Sequence, residues 1–307
     1  MKLMCFTMLR ALINMKNHTL LPSLLLALGL CSLAIHARAE CPGEAAMAQM
    51  AQRWIDRLPL SGLAASMTMT DAVCMRDRLV AQIRANPLYG GRVVGYKAAL
   101  TNPELQKRFG ADAPVRGVLL SRMLIMESGF PVPGNYATRP VFEADLLVEV
   151  GDDAINEART PLEALKALSR VQPFIELADL VVADGEPLNA AVITAINAGA
   201  RYGYFGQGIT VQPTQQFADA LRDMRVIMTD ELGNELTNSP GSAIMGHPLN
   251  AVLWLAEDVR KSGGRLRVGD KLSLGAFSAP LTPKREMRVK LRYVGLPGDP
   301  EIHLRFR

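Results

Sequence analysis

Val141-Phe-Glu-Ala-Asp-Leu-Leu-Val-Glu-Val150 is the stretch that decides the fold, an apolar run in which Glu143 and Asp145 stand two positions apart. Side chains at positions i and i+2 of a β-strand point to one face, so the run predicts a strand with these two carboxylates on one side and apolar residues on the other. Glu176 lies in a second apolar stretch, Val171-Gln-Pro-Phe-Ile-Glu-Leu177. Oxygen-only ligands with open positions favour Mg²⁺ or Mn²⁺ over Zn²⁺. The sequence therefore predicts a metal-dependent enzyme.

The N-terminal segment has the pattern of an export signal. Arg10 and Lys16 precede an apolar core over residues 20–35, and Ala37-Arg-Ala39 is a small-x-small cleavage pattern. An uncleaved membrane anchor is the alternative, and the short apolar run disfavours it. We expect a signal peptide over residues 1–39, a periplasmic or secreted protein, and no membrane association after cleavage.

The charge balance argues against nucleic acid as a partner. Residues 1–39 hold Lys2, Arg10, Lys16 and Arg38 but none of the 30 Asp and Glu residues, so basic and acidic residues balance in the rest of the chain. Nothing there favours electrostatic attachment to a membrane. The remaining chain is long enough for a full hydrophobic core. We expect an N-terminal helical segment over residues 40–90 and a catalytic domain over residues 91–307.

The cysteines that remain after signal removal are Cys41 and Cys74. An oxidising compartment favours a disulfide between them, which would join the start of the mature chain to the first long helix. The sequence does not show whether their Cα atoms lie within bridging distance.

The predicted elements do not alternate regularly between strand and helix. This irregularity disfavours a doubly wound parallel sheet or a TIM barrel and favours a mixed-sheet α+β fold. Helices are predicted over residues 44–57, 72–85 with Thr70-Asp71 as N-cap, 160–169, 189–200 and 247–261. Strands are predicted over residues 92–97, 141–150, 173–177, 225–229, 271–274, 288–293 and 301–306.

Five motifs, in one order and spacing, carry a family resemblance. They are Gly95-Tyr-Lys-Ala-Ala-Leu-Thr101, Phe142-Glu-Ala-Asp145, Gln172-Pro-Phe-Ile-Glu176, Gly246-His-Pro-Leu-Asn250 and Gly269-Asp-Lys-Leu-Ser-Leu-Gly-Ala276. Together they resemble the 2-keto-4-pentenoate hydratase branch of the fumarylacetoacetate hydrolase superfamily. The resemblance implies a fold like the C-terminal domain of that superfamily, a mixed β-sheet roll with flanking helices, here with a small N-terminal helical part.

The resemblance also implies the site residues. The family pattern Glu-x-Glu plus a later Glu binds Mg²⁺ or Mn²⁺, which makes Glu143, Asp145 and Glu176 the expected ligands, with Asp145 a shorter ligand than the usual Glu. The metal would chelate a 2-oxo acid. Lys97 matches the family lysine, whose ammonium would bind the substrate carboxylate or stabilise an enolate.

Two departures from the family pattern affect the predicted chemistry. Where hydratases carry an acidic residue, this chain has Val115, which does no acid–base work, and the adjacent Arg116 is a candidate for binding a substrate carboxylate. The family's Leu-Thr-Gly is replaced by Ser273-Leu-Gly275. This moves the hydroxyl of Ser273 by one position, to the other strand face, and makes Ser278 a second candidate for contacting substrate.

The leading functional hypothesis is a divalent-metal hydratase-like lyase acting on a small 2-hydroxydienoate or 2-oxo acid. The alternatives are a 2-oxo acid decarboxylase or C–C hydrolase on the same scaffold, and a non-catalytic exported ligand-binding protein. His247, before Pro248, is expected to cap a helix rather than to act as a base. Arg139 and Arg201 are weaker candidates for binding a carboxylate. By resemblance, a homo-oligomer is expected.

Overall fold

The computed structural model describes residues 41–307, so the predicted signal over residues 1–39 lies outside the described residues. The helices are α1 Glu44–Ile55, α2 Met69–Ala85, α3 Pro103–Phe109, α4 Pro161–Lys166, α5 Ala190–Ala195, α6 Gln215–Asp223 and α7 Pro248–Lys261. The strands are β1 Val93–Ala99, β2 Val115–Leu120, β3 Leu124–Met126, β4 Pro140–Val150, β5 Leu168–Asp179, β6 Tyr202–Phe205, β7 Ile209–Thr210, β8 Arg225–Asp230, β9 Glu235–Pro240, β10 Lys271–Ser273, β11 Arg288–Val294 and β12 Glu301–Arg305.

The strands form two sheets. The larger has eight strands in the order β2-β1-β10-β4-β5-β6-β3, with β7 paired to β5, and the smaller has the order β12-β11-β8-β9. The pairs β1–β10 and β3–β6 are parallel and the others are antiparallel. The α+β class with a mixed curled sheet and flanking helices is therefore confirmed.

The central strand β4 divides its side chains as its sequence predicts. Phe142, Ala144, Leu146 and Val148 are fully or almost fully buried in the main hydrophobic core. That core also takes in side chains of α7 and of the smaller sheet. Because alternate side chains of β4 are anchored in this core, the carboxylates at positions 143 and 145 are held on the opposite face.

Several predicted element boundaries were wrong; the helix predicted over residues 160–169, for example, ends at Lys166, and β5 begins at Leu168. Helix α2 begins at Met69, because the side chain of Thr68 accepts the N–H of Asp71 and caps the helix two residues earlier than expected. The strand predicted over residues 173–177 extends from Leu168 to Asp179, since β4 pairs with it along almost its whole length. Helix α5 stops at Ala195, where the predicted helix continued to residue 200, and the chain then turns through left-handed residues.

The N-terminal helices pack into a second apolar cluster with α5 and β2. Cys41 and Cys74 form a disulfide with a Cα–Cα distance of 5.9 Å, so the predicted bridge joins the start of the described chain to α2. None of the helices within residues 41–307 is both long and apolar enough to cross a membrane. The boundary at residue 90 stays a prediction.

Removing the disulfide is expected to destabilise the protein without changing the sheet. The bridge closes a loop with a sequence separation of 33, and losing such a constraint costs about 2–4 kcal/mol of unfolding free energy. Urea unfolding of the Cys41→Ser/Cys74→Ser protein, compared with the oxidised parent, measures this. The parent in reducing agent is the control and should match the double variant. Equal midpoints for the oxidised parent and the variant would contradict the prediction.

Candidate active site

Four charged side chains converge on one face of the larger sheet. Glu143 of β4 lies directly opposite Glu176 of β5, and Asp145 is opposite Phe174, two residues before Glu176. Lys97 of β1 reaches the same face and pairs with Glu176. Carboxylates from two separate segments and the predicted lysine are thus brought together, as the sequence hypothesis requires.

Lys97 is almost completely buried, with 3% of its surface exposed. Its ammonium donates to the Glu176 carboxylate and to the carbonyl of Ala198, the latter at 2.9 Å. Gly117, opposite Lys97 on β2, makes room for its side chain, because a Cβ there would lie 2.7 Å from Cγ of Lys97. These contacts fix the ammonium beside the carboxylates.

The loop that holds the ammonium depends on Asn197, a residue that the sequence analysis missed. Its side chain accepts the N–H of Val118 at 2.7 Å and donates to the carbonyl of Val118 at 3.0 Å, which ties the loop to the edge of β2. Asn197 and Ala198 both adopt positive φ, which directs the Ala198 carbonyl toward Lys97. The only signal in the sequence was the turn-forming Asn197-Ala-Gly199.

Asp145 is fully buried and its oxygens are held by neighbouring donors. One oxygen accepts the N–H groups of Leu146, Leu274 and Gly275, and the other accepts the hydroxyl of Ser273. The second oxygen keeps a lone pair, since each carboxylate oxygen accepts about two bonds in its plane.

The negative charge in this cluster exceeds its positive charge. Burial, and then the charge of Glu176, raise the pKa of Glu143 to about 8 and that of Asp145 to about 7. Lys97 is the cation that lowers both values, and it already pairs with Glu176. Clustered carboxylates short of a cation are the donor set that a hard divalent ion requires.

The side chains of Glu143, Asp145 and Glu176 are not yet arranged around one common point where a metal ion could bind. Within residues 41–307 no three His, Cys, Asp or Glu side chains converge as metal ligands. The contacts give the reason, because Glu176 turns to Lys97 and Asp145 turns to Ser273. Glu143 remains partly exposed beside them. The oxygen donors share one sheet face and suit Mg²⁺ or Mn²⁺ by chemistry, and the ion pair with Lys97 uses only one of the two Glu176 oxygens.

A cavity of about 440 Å³ opens onto Lys97, Glu143 and Glu176. Its walls are mostly apolar, formed by residues that include Leu100, Leu105, Phe109, Leu188, Ile193 and Ile196. Arg108 lines it as well and is exposed. A cavity of this size, with apolar walls and charged residues at its inner end, suits a small acid with a hydrocarbon chain.

The structure does not bring the three predicted substrate-binding residues to this cavity. Arg116 faces the opposite side of the sheet from Lys97, because Gly117 is the residue paired with that lysine, and its guanidinium is bound to Asp258 at 2.5 Å and to Ser262 at 2.8 Å. The hydroxyl of Ser278 accepts the N–H of Ala144 at 3.1 Å. These contacts give Arg116 and Ser278 structural roles, so neither residue belongs to the proposed site.

Ser273 lies on the face of the carboxylates, and the expectation that it would point to the other face was wrong. It pairs with Lys97 across β1 and β10, and its hydroxyl donates to Asp145. It therefore orients a candidate ligand rather than lining the cavity. His247 caps α7 through its Nδ1, which accepts the N–H of Leu249 at 3.1 Å, as expected.

Comparison with known proteins gives 2-keto-4-pentenoate hydratases among the similar sequences, and also a 4-oxalocrotonate decarboxylase from Pseudomonas putida at 23% identity. A 2-keto-4-pentenoate hydratase from Paraburkholderia xenovorans is 29% identical over 195 residues, which cover 64% of this chain and 70% of the relative. 2-Keto-4-pentenoate hydratase 2 from Dechloromonas aromatica is 27% identical over 256 residues, covering 82% of this chain and 94% of the relative. This chain is thus similar to the 2-keto-4-pentenoate hydratases. No protein-family model matches.

A solved structure has a fold similar to that of this chain. The 4-oxalocrotonate decarboxylase from Pseudomonas putida G7, complexed with magnesium and adipate, superposes with a TM-score of 0.74 at 20% identity, covering 86% of this chain and 97% of that one. At this identity the match concerns the fold.

Val115, where the sequence resemblance predicts an acidic residue in hydratases, lies in apolar surroundings. Val115 is 3% exposed and packs in a small cluster with Leu100, Ala190 and Ala198. It shares a sheet face with Gly117 and so points toward the side of Lys97. Val115 therefore packs behind the cavity wall, against Leu100 and Ala198, which line the cavity.

The metal-free protein is expected to lose stability as the pH rises from about 4 to about 8. Folding raises the pKa of Glu143 from 4.5 to about 8 and that of Asp145 from 3.8 to about 7, so the folded state binds more protons throughout this window. The stability that protonated Glu143 and Asp145 contribute is complete below their pKa values in the unfolded chain. It is lost as the pH rises through their pKa values in the folded protein. Urea unfolding in EDTA at pH 5 and pH 8 measures the difference.

Two variants and the addition of Mg²⁺ test this pH prediction. Glu143→Gln should flatten the profile, whereas Glu149→Gln, on the same strand face but paired with Lys271 at 2.6 Å, should leave it unchanged. Mg²⁺ should restore stability at pH 8, because it binds deprotonated carboxylates. A profile in EDTA that is flat over this range would contradict the raised pKa values.

Proposed function

We propose that this protein is a divalent-metal-dependent lyase for a small 2-hydroxydienoate or 2-oxo acid, most nearly a hydratase. The observation that carries the proposal is that Lys97, Glu143 and Glu176 line the base of one apolar cavity, with Asp145 buried beside them on the same sheet face. The 2-keto-4-pentenoate hydratases among its relatives support the same reaction class.

The metal would be held by Glu143, Asp145 and Glu176, with Ser273 orienting the second of these. Such an ion supplies Lewis acidity toward the carboxylate and keto oxygens of a chelating 2-oxo acid. Mg²⁺ and Mn²⁺ both suit the oxygen ligands, and the choice between them belongs to the proposal.

Lys97 would act on the charge that develops at the substrate oxygen. Its ammonium is buried and positioned by the Ala198 carbonyl, so its charge is weakly screened and already oriented toward the reacting end of the cavity. The apolar walls exclude water from that end and receive the carbon chain of the substrate. The remote alkene carbon would lie toward the open side, where water enters.

Turnover assays with product analysis test the proposal. With Mg²⁺ or Mn²⁺, the signal-free protein should hydrate 2-hydroxypenta-2,4-dienoate to 4-hydroxy-2-oxopentanoate, detectable by proton NMR, and EDTA should stop the reaction. If neither this substrate nor 4-oxalocrotonate is turned over, while oxalate or pyruvate still raises the melting temperature, the protein is a non-catalytic binder and the proposal fails.

A second candidate reaction is decarboxylation of a 2-oxo dicarboxylate such as 4-oxalocrotonate. Arg108 favours it, because this guanidinium lines the cavity, lies 5.3 Å from the ring of Phe109, and pairs with no carboxylate of the described chain. It is placed to receive a second carboxylate. Val115 also weakens hydration specifically, since the proton-transfer acid of hydratases is missing.

Arg108→Ala separates the two reactions. For a dicarboxylate, KM should rise about tenfold, because one charge-assisted hydrogen bond of roughly 1.4 kcal/mol is lost. For a monocarboxylate, KM should stay within about twofold, since no partner is removed. Lys107→Ala, the exposed neighbour, is the control. Equal effects of Arg108→Ala on both substrates would exclude this role.

The proposal also includes an extracytoplasmic location and a homo-oligomeric assembly. The Cys41–Cys74 disulfide supports a periplasmic or secreted location, because structural disulfides persist in oxidising compartments. A homo-oligomer is proposed by relation to the hydratase branch. Fractionation of cells for location, and light scattering for mass, test these two points.

A further inference from the structure

A second cavity, of about 430 Å³, lies apart from the proposed catalytic one. No Asp or Glu of the described chain is among its lining residues, and its aromatic and basic members are Tyr89, Phe130, Tyr136, Tyr202, Tyr204, Arg57 and Arg201. Aromatic walls with cations and without acids give a positive, largely apolar space. Its volume is within the range of sites for small organic ligands.

The decisive residue in this cavity is Arg201, which is only 1% exposed. Its guanidinium lies 3.8 Å from the ring of Trp54 and donates to the Trp54 carbonyl. Its Nε finds no hydrogen-bond partner within residues 41–307. A buried donor without an acceptor is costly, so a ligand oxygen at this point would relieve that cost.

The carboxylate nearest to Arg201 is largely committed elsewhere. Asp179 approaches it at 3.7 Å, and its two oxygens accept the N–H groups of Thr138 at 3.2 Å and Arg139 at 3.0 Å. The ion pair is therefore long, and the guanidinium keeps donor capacity toward the cavity that it lines.

We propose that this cavity is a second binding site, for a small planar carboxylate with an unsaturated or aromatic body. The carboxylate would bind Arg201, the planar body would pack between tyrosine rings, and Arg57 would add positive charge at the rim. This site goes beyond the proposed function. It requires neither the metal ligands nor Lys97, although Arg201 and Tyr202 also border the small space that contains Lys97 and Glu176.

Trp54 provides a local probe, because it is stacked on Arg201. The chain has two tryptophans, so Trp254→Phe leaves Trp54 as the single one. Benzoate should change its fluorescence saturably, whereas benzamide, the neutral analogue of the same shape, should not. Calorimetry of benzoate with the unsubstituted protein provides the same comparison without relying on the tryptophan variant.

Reversing the charge of Arg57, at the rim of the second cavity, tests whether benzoate binds there. Arg57→Glu should raise the Kd for benzoate about fivefold or more, while Arg260→Glu, an exposed arginine on α7, should change it less than about twofold. Arg201→Met should abolish binding. Because that substitution leaves Asp179 buried without its cation and can unfold the protein, Arg57→Glu is the deciding variant.

Independence from the catalytic cavity is tested with Mg²⁺ and with Glu143→Gln. Benzoate binding should be unchanged by either, since neither touches this second cavity. The proposal is overturned if benzamide binds as well as benzoate, if Arg57→Glu and Arg260→Glu behave alike, or if benzoate binding is lost in Glu143→Gln. Loss in Glu143→Gln would place benzoate in the catalytic cavity and leave the proposed function intact.

Discussion

Glu143→Gln combined with Asp145→Asn is expected to abolish Mg²⁺ binding and turnover together. Changes to residues that only contact metal ligands already cost roughly 10- to 100-fold in affinity, so removal of two ligand charges should cost more than about 100-fold. The two amides also remove the repulsion that raises the pKa values of this cluster. The metal-free variant should therefore be as stable as its parent at pH 8, or more so.

Calorimetric titration of Mg²⁺, alone and with oxalate or pyruvate, measures the loss. Glu149→Gln is the matched control, because Glu149 lies on the same face of β4 but pairs with Lys271 outside the cluster. It should bind Mg²⁺ like the parent. If the double variant still binds Mg²⁺ and oxalate with parental affinity, the metal site has been assigned to the wrong residues.

Lys97→Met is expected to damage both stability and catalysis, by separable routes. Without metal, the substitution leaves Glu176 buried and unpaired, which costs about 3–5 kcal/mol of unfolding free energy. Saturating Mg²⁺ should recover most of this stability, since a divalent ion replaces the lost charge. It should not recover kcat, which we expect to fall by at least about 100-fold, because the ammonium acts on charge formed during the reaction.

Lys271→Met is the control for the second prediction. Lys271 pairs with Glu149 on the same sheet but is partly exposed, so its loss should cost no more than about 1 kcal/mol and leave kcat unchanged. Urea unfolding with and without Mg²⁺, together with kcat, distinguishes the routes. Recovery of kcat in Lys97→Met by Mg²⁺ alone would show that the lysine is only structural.

The shared position of Lys97 and the carboxylates was predictable because each belongs to a local pattern. The two-residue spacing of Glu143 and Asp145 places them on one face of any strand, whatever surrounds it. Apolar residues at the alternate positions then select the face that enters the core. Glu176 and Lys97 followed from sequence motifs that resemble those of a known family.

The positions of Arg116 and Asn197 were not predictable in this way. Arg116 directly precedes Gly117, yet one residue of shift along β2 puts its side chain on the opposite face, against Asp258 of α7. Asn197 lies 79 positions from Val118, and no local pattern indicates that its amide completes the edge of β2. Both outcomes depend on which segments become neighbours in space.

The sequence by itself determined the two faces of β4, the acidic cluster, the α+β class and the cap of α7, because periodicity and capping act within a few residues. Only the tertiary structure decided that Glu176 turns to Lys97, that Ser273 orients Asp145, and that Arg201 stacks on Trp54 beside a second cavity. Those contacts join residues 79, 128 and 147 positions apart. Strand register and helix packing over the whole core, rather than any local preference, bring such residues together.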